Sequence, residues 1–487
     1  MAQIFLPGTS MKDDLSQTMR RIRRIHFVGI GGAGMSGIAE VLHNLGYHVT
    51  GSDLKRSFNV ERLSNLGIHI YMGHKESHSA RADVVVVSTA IHTDNPEVKA
   101  AHERRIPVVP RAQMLSELMR FRYGITVAGT HGKTTTTSLL AMVFAEADLK
   151  PTFVVGGKVN SAGANARLGE GKYFIAEADE SDASFLHLTP MITVITNIDA
   201  DHMQTYHNNF AELRATFLRF IQRLPFYGLA VMCVDDPEVR AILPDITCSV
   251  VTYGFSEGAD YRAINFFQNG LQSEFTVIYG KDHSKSFKVK LNLAGQHNVC
   301  NALATIAIAL DCGIGIAAIK KALLHFSGVG RRCQQYGKIT LAGKTVTLID
   351  DYGHHPEEIR VTYEALKNAF PNRRVILVFQ PHRYTRTQEL FDDFVEVLSN
   401  VDLLLLFEVY SAGEAPISNI DSKALSRSIR QRNRIDPIYV KDVKGALDVI
   451  PDIIQDGDIL LTQGAGDVDQ TLVQLIKMIE KKAKKQK

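Results

Sequence analysis

The residues "GTHGKTTTT", 129 to 137, combine two glycines, a lysine and a run of threonines directly behind a β-run from Ile125 to Ala128. The helical pattern that follows sets Leu139, Leu140, Val143, Phe144 and Ala147 on one face. A strand–turn–helix of this composition suits a triphosphate. Backbone N–H groups converge on phosphate oxygens, the helix N-terminus adds partial positive charge, Lys133 can reach the β and γ phosphates, and the Thr134 hydroxyl can ligate Mg²⁺. The spacing departs from G-x-x-x-x-G-K-[ST]: Val127 stands five positions before Gly132 and the first glycine is Gly129, so the loop is shorter. A turn that merely capped a helix would have little use for the lysine.

Two further strand ends carry groups that fit such a site. "FIAEADESD" sets Glu177 at the end of an apolar run, with Asp179, Glu180 and Asp182 close behind, and "ITNIDADH" sets His202 just past another. Open α/β sheets bind ligands at the carboxyl ends of their strands. Glu177 and His202 are therefore expected beside the phosphate loop, as Mg²⁺ ligands with Thr134. Magnesium prefers oxygen donors, which favours the glutamate over the histidine. Taken alone, a solvated turn is the lesser reading of the acidic run, whereas His202 reads equally as an ordinary loop histidine.

A second glycine turn lies near the start. A β-run from Ile25 to Val28 leads into Gly29, Gly31 and Gly34 at G-x-G-x-x-G spacing, then a helix with Ile38, Val41, Leu42 and Leu45 on its apolar face and Gly46 as expected C-cap. The next β-run, Tyr47 to Thr50, leads to Asp53, placed to bind a ribose hydroxyl. This geometry serves NAD, or another nucleotide whose diphosphate lies on the turn. An oxidoreductase reading leaves the lysine loop unused, and a bare ATPase module leaves this turn unused.

These groups need elements to hold them, and the chain supplies β-runs alternating with helical patterns, the signature of parallel sheets with crossover helices. Three groups separate. The first ends near "MRFRYG"; the second contains the lysine loop and a β-meander with a hairpin signal at Asn269-Gly270; the third has strands at "TVTLIDDY", "RRVILVFQPH", "VDLLLLFEVY" and "GDILLTQGAG". The expected fold is α/β in three domains. Residues 1–122 would be Rossmann-like, 123–330 a P-loop ATPase-type parallel sheet with the small meander, and 331–487 again Rossmann-like. A net charge of +3 from 55 basic and 52 acidic residues argues against a nucleic-acid protein, with "RRIRR" at 20–24 and "KKAKKQK" at the end as solvated exceptions. The five cysteines form no C-x-x-C pair, so neither a disulfide framework nor a zinc site is indicated, and a reducing cytoplasm fits. No apolar run is long enough for a membrane span, and no signal core is apparent.

Eight stretches in order, "GIGGAGMSGIA", "GTHGKTTTT", "EADESD", "TNIDADH", "GQHNVCNALA", "GVGRRCQ", "DDYGHHP" and "PHRYTRT", resemble the motifs of the Mur ligases of bacterial cell-wall synthesis, from about Ile25 to the C-terminus. The resemblance implies ATP and Mg²⁺ as cofactors, and UDP-N-acetylmuramate and L-alanine as substrates, joined through an acyl phosphate. It assigns the first glycine turn to a UDP-sugar, with Gly31, Gly32, Ala33, Gly34, Asp53, Ser88 and Thr89 as contacts. Gly129, Thr130, His131, Gly132, Lys133, Thr134 and Thr135 would hold the ATP phosphates, and His297, Asn298 and Asn301 the adenine side. Arg332 and Asp351 match positions that approach the nucleotide, although Arg331 is an equal choice. Tyr352, His354 and His355 would border the amino-acid pocket, and Arg383 and Arg386 would grip the amino-acid carboxylate, for which paired guanidinium groups are suited. Lys133, Glu177, His202, His355, Arg383 and Arg386 are the implied catalytic set. "KVNSAGANARLG", 158–169, would be a lid over the muramoyl part.

The chain departs from several members of the family that act later in the pathway and carry a carbamylated lysine about fifteen residues after the histidine matching His202. Here that count reaches Phe217, so a second Mg²⁺ would need other ligands. A relative that joins a whole tripeptide to the same sugar is the nearest competitor. The "GIGGAGMSG" turn favours the alanine reaction. A cytoplasmic monomer or weak homodimer is expected.

Overall fold

In a computed structural model of the chain, residues 19–88, 90–120, 122–159 and 164–485 are described. Thr89 and residues 160–163 lie outside them, and with them one expected sugar-nucleotide contact and part of the expected lid. The chain divides into two compact units. The first runs to Ala263 and adds Val277–Phe287 and Cys300–Leu324; the second comprises Ile264–Thr276, Lys288–Val299 and the chain from His325 onward.

The first sheet has five parallel strands, β1 (Arg24–Val28), β2 (His48–Asp53), β3 (His69–Met72), β4 (Val84–Val87) and β5 (Val108–Pro110), in the order β3-β2-β1-β4-β5. The order reverses between β1 and β4, and in such sheets that reversal opens the ligand crevice. Ile25 and Phe27 of β1 enter one core and Val28 another. This period-two alternation between two apolar layers is what a parallel strand covered on both faces requires. Helix Ala33–Asn44 crosses from β1 to β2, buries Ile38, Val41 and Leu42, and stops before Gly46, whose φ is +91°.

The second sheet has ten strands: β6 (Tyr123–Ala128), β7 (Thr152–Val159), β8 (Ala164–Arg167), β9 (Tyr173–Glu177), β10 (Ile192–Ile195), β11 (Leu229–Cys233), β12 (Ser249–Gly254), β13 (Tyr261–Asn269), β14 (Gln272–Tyr279) and β15 (Lys285–Leu291). Their order is β15-β14-β13-β12-β11-β10-β6-β9-β7-β8. β6 runs parallel to both its neighbours, β9 and β10, so the turns after these three strands leave the same edge side by side. Helix Lys133–Glu146 follows β6 and buries Leu139, Leu140, Val143 and Phe144; Ala147 is its C-cap. The edge strand β8 is antiparallel to β7.

The third sheet contains β16 (Gln334–Leu341), β17 (Lys344–Asp351), β18 (Val375–Phe379), β19 (Leu403–Phe407), β20 (Ile438–Val440) and β21 (Ile459–Gln463), ordered β16-β17-β21-β18-β19-β20. Only the β16–β17 pair is antiparallel. Leu377 and Phe379 join one core with Leu404 and Leu406, while Ile376 and Val378 join the opposite one with Leu405 and Phe407. At the carboxyl end the register sets Asp350 opposite Thr462 and Asp351 opposite Gln463. Thr462 Oγ1 donates to Asp350 at 2.6 Å and Gln463 Nε2 to Asp351 at 3.1 Å. Among the described residues no helix is long and apolar enough to cross a membrane.

Candidate active site

The turn after β6 is built so that backbone, rather than side chains, lines it. Gly129 has φ +128°, and a Cβ there would lie 2.0 Å from Thr196 Oγ1. Gly132 has φ +83° and starts helix Lys133–Glu146, with no side chain capping it among the described residues. Its first-turn N–H groups therefore keep their capacity for a ligand. The turn after β10 braces this loop: Asn197 Oδ1 accepts from the His131 N–H at 2.8 Å, Thr196 Oγ1 donates to the His131 carbonyl at 2.6 Å, and Thr130 Oγ1 accepts from the Asp199 N–H at 2.9 Å. Asn301 supports it from behind, accepting from Thr136 Oγ1 at 3.0 Å.

Lys133 is folded back over its own loop. Its ammonium donates to the carbonyls of Gly129 at 2.6 Å and Thr130 at 2.9 Å, and to Glu180 Oε1 at 2.8 Å. Burial alone would lower the Lys133 pKa, but the carboxylates of Glu180 and Asp179 overcome it and hold it above the ordinary lysine value. Glu180 is 4% exposed, and its Oε2 is buried with no hydrogen-bonding partner among the described residues. Burial pushes its carboxyl up to about 7, against the pull of Lys133. Asp179 moves the other way: burial opposes its ionisation, but Arg111 and Lys133 outweigh that and lower it.

Of the expected metal ligands, Glu177 accepts the Gly156 N–H at 2.8 Å, and its charge acts on Lys133. His202 sits at φ +54° with its Nε2 3.4 Å from Asp201 Oδ2. Glu177, Asp179 and Glu180 together make an oxygen-rich, negatively charged side to the loop, and the buried Glu180 oxygen has coordination capacity to spare. That donor chemistry fits a hard cation such as Mg²⁺.

The first glycine turn is shaped by Asp53. Its Oδ2 accepts the Gly31 N–H at 2.8 Å and its Oδ1 the Lys55 N–H at 3.1 Å, while Asn59 Nδ2 donates to the Gly31 carbonyl at 3.0 Å. A Cβ on Gly31 would lie 2.7 Å from Val60 and 2.9 Å from both Asp53 and Ser57. Gly32, by contrast, has its nearest neighbour at 3.5 Å. Ser88 follows β4 at the same edge, half-buried. Gly34 makes room for a residue the sequence reading passed over: a Cβ there would lie 2.7 Å from Arg111 Nη1, and Arg111 continues to Asp179 Oδ2 at 3.0 Å. The available signal was an arginine at the first position of helix Arg111–Met119, where a cation opposes the helix dipole. Asn165 of β8, inside the expected lid segment, donates to the Ala33 carbonyl and to Ser36 Oγ, both at 3.1 Å.

In the second unit, Arg331 spends its guanidinium on Asp350 at 3.1 Å and on the carbonyls of Gly464 at 2.6 Å and Gly466 at 3.2 Å. Arg332 lies over the Tyr352 ring and 3.6 Å from Glu358. Asp351 is buried, which raises its pKa, and accepts from the N–H groups of Cys333 and Gly353, both at 2.8 Å. His355 caps helix Pro356–Ala369 in a capping box with Glu358, and His354 lies 3.7 Å from that glutamate. Arg383 and Arg386 differ: Arg383 has φ +73° and an exposed guanidinium 4.0 Å from Glu414, whereas Arg386 is 5% exposed. His297 is buried, which pushes its pKa down to about 4, and Asn298 Nδ2 bonds to its ring at 3.0 Å.

Three family profiles match the chain in order: the Mur ligase family catalytic domain over residues 24–123, the Mur ligase middle domain over 127–309, and the Mur ligase glutamate ligase domain over 331–466. Among solved structures, the chain is similar to the UDP-N-acetylmuramate-alanine ligase MurC of Thermotoga maritima, with 28% identity, 94% of this chain and 99% of that one covered, and a TM-score of 0.80. It is also similar to the UDP-N-acetylmuramate:L-alanyl-gamma-D-glutamyl-meso-diaminopimelate ligase of Neisseria meningitides, with 30% identity over 64% of this chain and 100% of that one, at a TM-score of 0.58. A murein peptide ligase of Psychrobacter arcticus shares the fold at 23% identity, covering 94% of this chain and 98% of that one, with a TM-score of 0.69.

Proposed function

The chain belongs to the Mur ligase family of ATP-dependent ligases of peptidoglycan synthesis, and from that membership we propose that it joins L-alanine to the lactyl carboxylate of UDP-N-acetylmuramate. The observation that carries the reading is Arg111, which passes Gly34 of the first glycine turn and ends on Asp179 beside the lysine loop. One arginine thus touches a diphosphate-type turn and the acidic wall of a triphosphate-type loop, as an enzyme that brings a sugar nucleotide to ATP requires. Neither an NAD oxidoreductase nor a lone ATPase needs that bridge.

The chemistry follows from the reactants. A carboxylate does not condense with an amine unaided, so a lactyl carboxylate oxygen attacks the γ-phosphorus and ADP leaves. The alanine amine then attacks the acyl carbon, loses a proton, and expels phosphate with the C–O bond. In this reading Lys133 exchanges Glu180 and the two loop carbonyls for phosphate oxygens, and the first-turn N–H groups after Gly132 hold the same phosphates. Bound Mg²⁺, with Thr134, Glu177 and His202 as its ligands, would neutralise phosphate charge. Gly31 to Gly34, Asp53 and Ser88 take the UDP part. Arg332 is assigned to the nucleotide in preference to Arg331, because Arg331 is committed to Asp350 and two carbonyls. Arg383 and Arg386 take the alanine carboxylate. Residues 1–122, 123–330 and 331–487 are assigned to the sugar nucleotide, ATP and the amino acid. A cytoplasmic monomer or weak homodimer is the corresponding state.

A tripeptide in place of alanine is the second reading, favoured by the 30% identity to the Neisseria ligase. Phosphate release from ATP, measured with each substrate omitted and with L-alanine or that tripeptide as the amine, decides between them. Release that requires UDP-N-acetylmuramate and L-alanine together supports the proposal. Release with the tripeptide alone transfers the assignment, and release without any UDP-sugar removes it.

A further inference from the structure

Strand β11 ends at Cys233, which pairs in register with Tyr253 of β12. Two residues on, the Asp235 carboxylate ties down the turn after β12. Its Oδ2 accepts the Phe255 N–H at 2.7 Å, and its Oδ1 accepts from Ser256 N–H at 2.9 Å and Oγ at 2.6 Å. Glycine at 254 permits that approach, since a Cβ there would lie 2.5 Å from Oδ1. Helix Gln296–Asp311 brings Cys300 to the same point, with its Sγ–H donating to Asp235 Oδ2 at 3.5 Å. The two sulfurs and a carboxylate oxygen all lie within 4.8 Å of one another.

Two sulfur donors and one oxygen donor at this separation are a ligand set for a borderline or soft cation, and sulfur selects zinc-class ions over magnesium. We propose that Cys233, Asp235 and Cys300 form a binding site for a zinc-class divalent cation, distinct from the Mg²⁺ position at the phosphate loop. A disulfide is the competing use of two neighbouring thiols. A bound dication would supply the positive charge that two thiolates beside the Asp235 carboxylate need.

The site is wired to the phosphate loop. Asn301, next to Cys300, accepts from Thr136 Oγ1 at 3.0 Å, and its Oδ1 lies 2.7 Å from where a Gly132 Cβ would stand. Occupation that draws Cys300 toward Cys233 moves this support, so cation binding is expected to weaken nucleotide binding.

The test uses the full chain, stripped with a chelator and titrated with Cd²⁺ while the ultraviolet thiolate-to-cadmium band is followed. The band is expected to saturate at one equivalent, to be displaced by Zn²⁺ but not by excess Mg²⁺, to vanish in Cys300→Ala, and to persist in Cys312→Ala. The Cd²⁺-loaded protein should bind ADP at least ~5-fold more weakly, the scale of an ordinary coupling between sites, and Cys300→Ala should abolish that difference. A band that survives Cys300→Ala, or a Cys233–Cys300 disulfide found by mass spectrometry in the stripped protein, would overturn the site. A one-equivalent band with unchanged ADP affinity would overturn the link to the loop. Cys300 lies at the less buried side of the pair, so its alanine variant tests the site even if Cys233 variants misfold.

Discussion

The ammonium of Lys133 rests 2.8 Å from Glu180 Oε1, while the other oxygen of that carboxylate is buried without a hydrogen-bonding partner among the described residues. The lysine that would serve a phosphate is thus held by an internal anion, and nucleotide binding must exchange one for the other. Lys133→Ala is expected to lower ligation at least ~10²-fold, as removal of one preorganised charge partner does. UDP-N-acetylmuramate affinity, read by calorimetry, should stay near that of the parent. Lost sugar-nucleotide affinity or near-normal turnover would refute the role.

The same pair gives a pH signature. Burial lifts Glu180 to about 7, so between roughly pH 4.3 and 7 the folded state keeps a proton that the unfolded chain releases. The contribution of this group to stability therefore falls as pH rises through that window. Glu180→Gln carries no such penalty, and its Tm relative to wild type should climb by roughly 2–4 °C from pH 5 to pH 7.5. A flat difference across the series, measured without nucleotide or metal, would place Glu180 in the ordinary range.

The first glycine turn separates two neighbouring positions. A methyl group at Gly31 meets Val60, Asp53 and Ser57, whereas one at Gly32 meets little. Gly31→Ala should raise the KM for UDP-N-acetylmuramate by about 10-fold, a loss on the order of 1.4 kcal/mol, with the ATP KM unchanged. Gly32→Ala should be mild in both. If the ATP KM moves instead, the two nucleotide assignments are reversed.

The two arginines of "PHRYTRT" should separate by burial. Arg383→Ala is expected to raise the KM for L-alanine about 10- to 100-fold, the loss of a charge-assisted pair worth roughly 1.5–3 kcal/mol, with little change in Tm. Arg386→Ala should raise the same KM and also lower Tm, because its side chain is buried. Positional exchange of labelled ATP oxygens, which reports acyl-phosphate formation alone, should survive better than ligation in both. Equal loss of exchange and ligation would make these arginines phosphate ligands.

The parallel sheets were legible because buried strands such as "VILVF" and "LLLLF" are continuous apolar runs between turn signals. The lysine loop and the glycine turn were legible because each is contiguous in sequence. What escaped notice was whatever the chain assembles from distant parts. Arg111 reaches Asp179 only because β5 and β9 bring their following turns together. Cys233 and Cys300 show no motif spacing and meet only when a strand end faces a helix. The role of Asp53 was half visible: its position past the second strand was readable, its bond to Gly31 was not.

In the third sheet both faces of β21 are apolar, with Ile459 and Leu461 in one core and Leu460 in the other, so core chemistry alone does not tell one alignment against β17 from another two residues away. The discriminating contacts are polar and lie at one end, where Asp350 meets Thr462 and Arg331, and Asp351 meets Gln463. A two-residue slip would bury as much oil and strand two carboxylates. These two acids thus act as the keyway of the sheet, and an engineer who neutralised them would be loosening the alignment of the strands on either side.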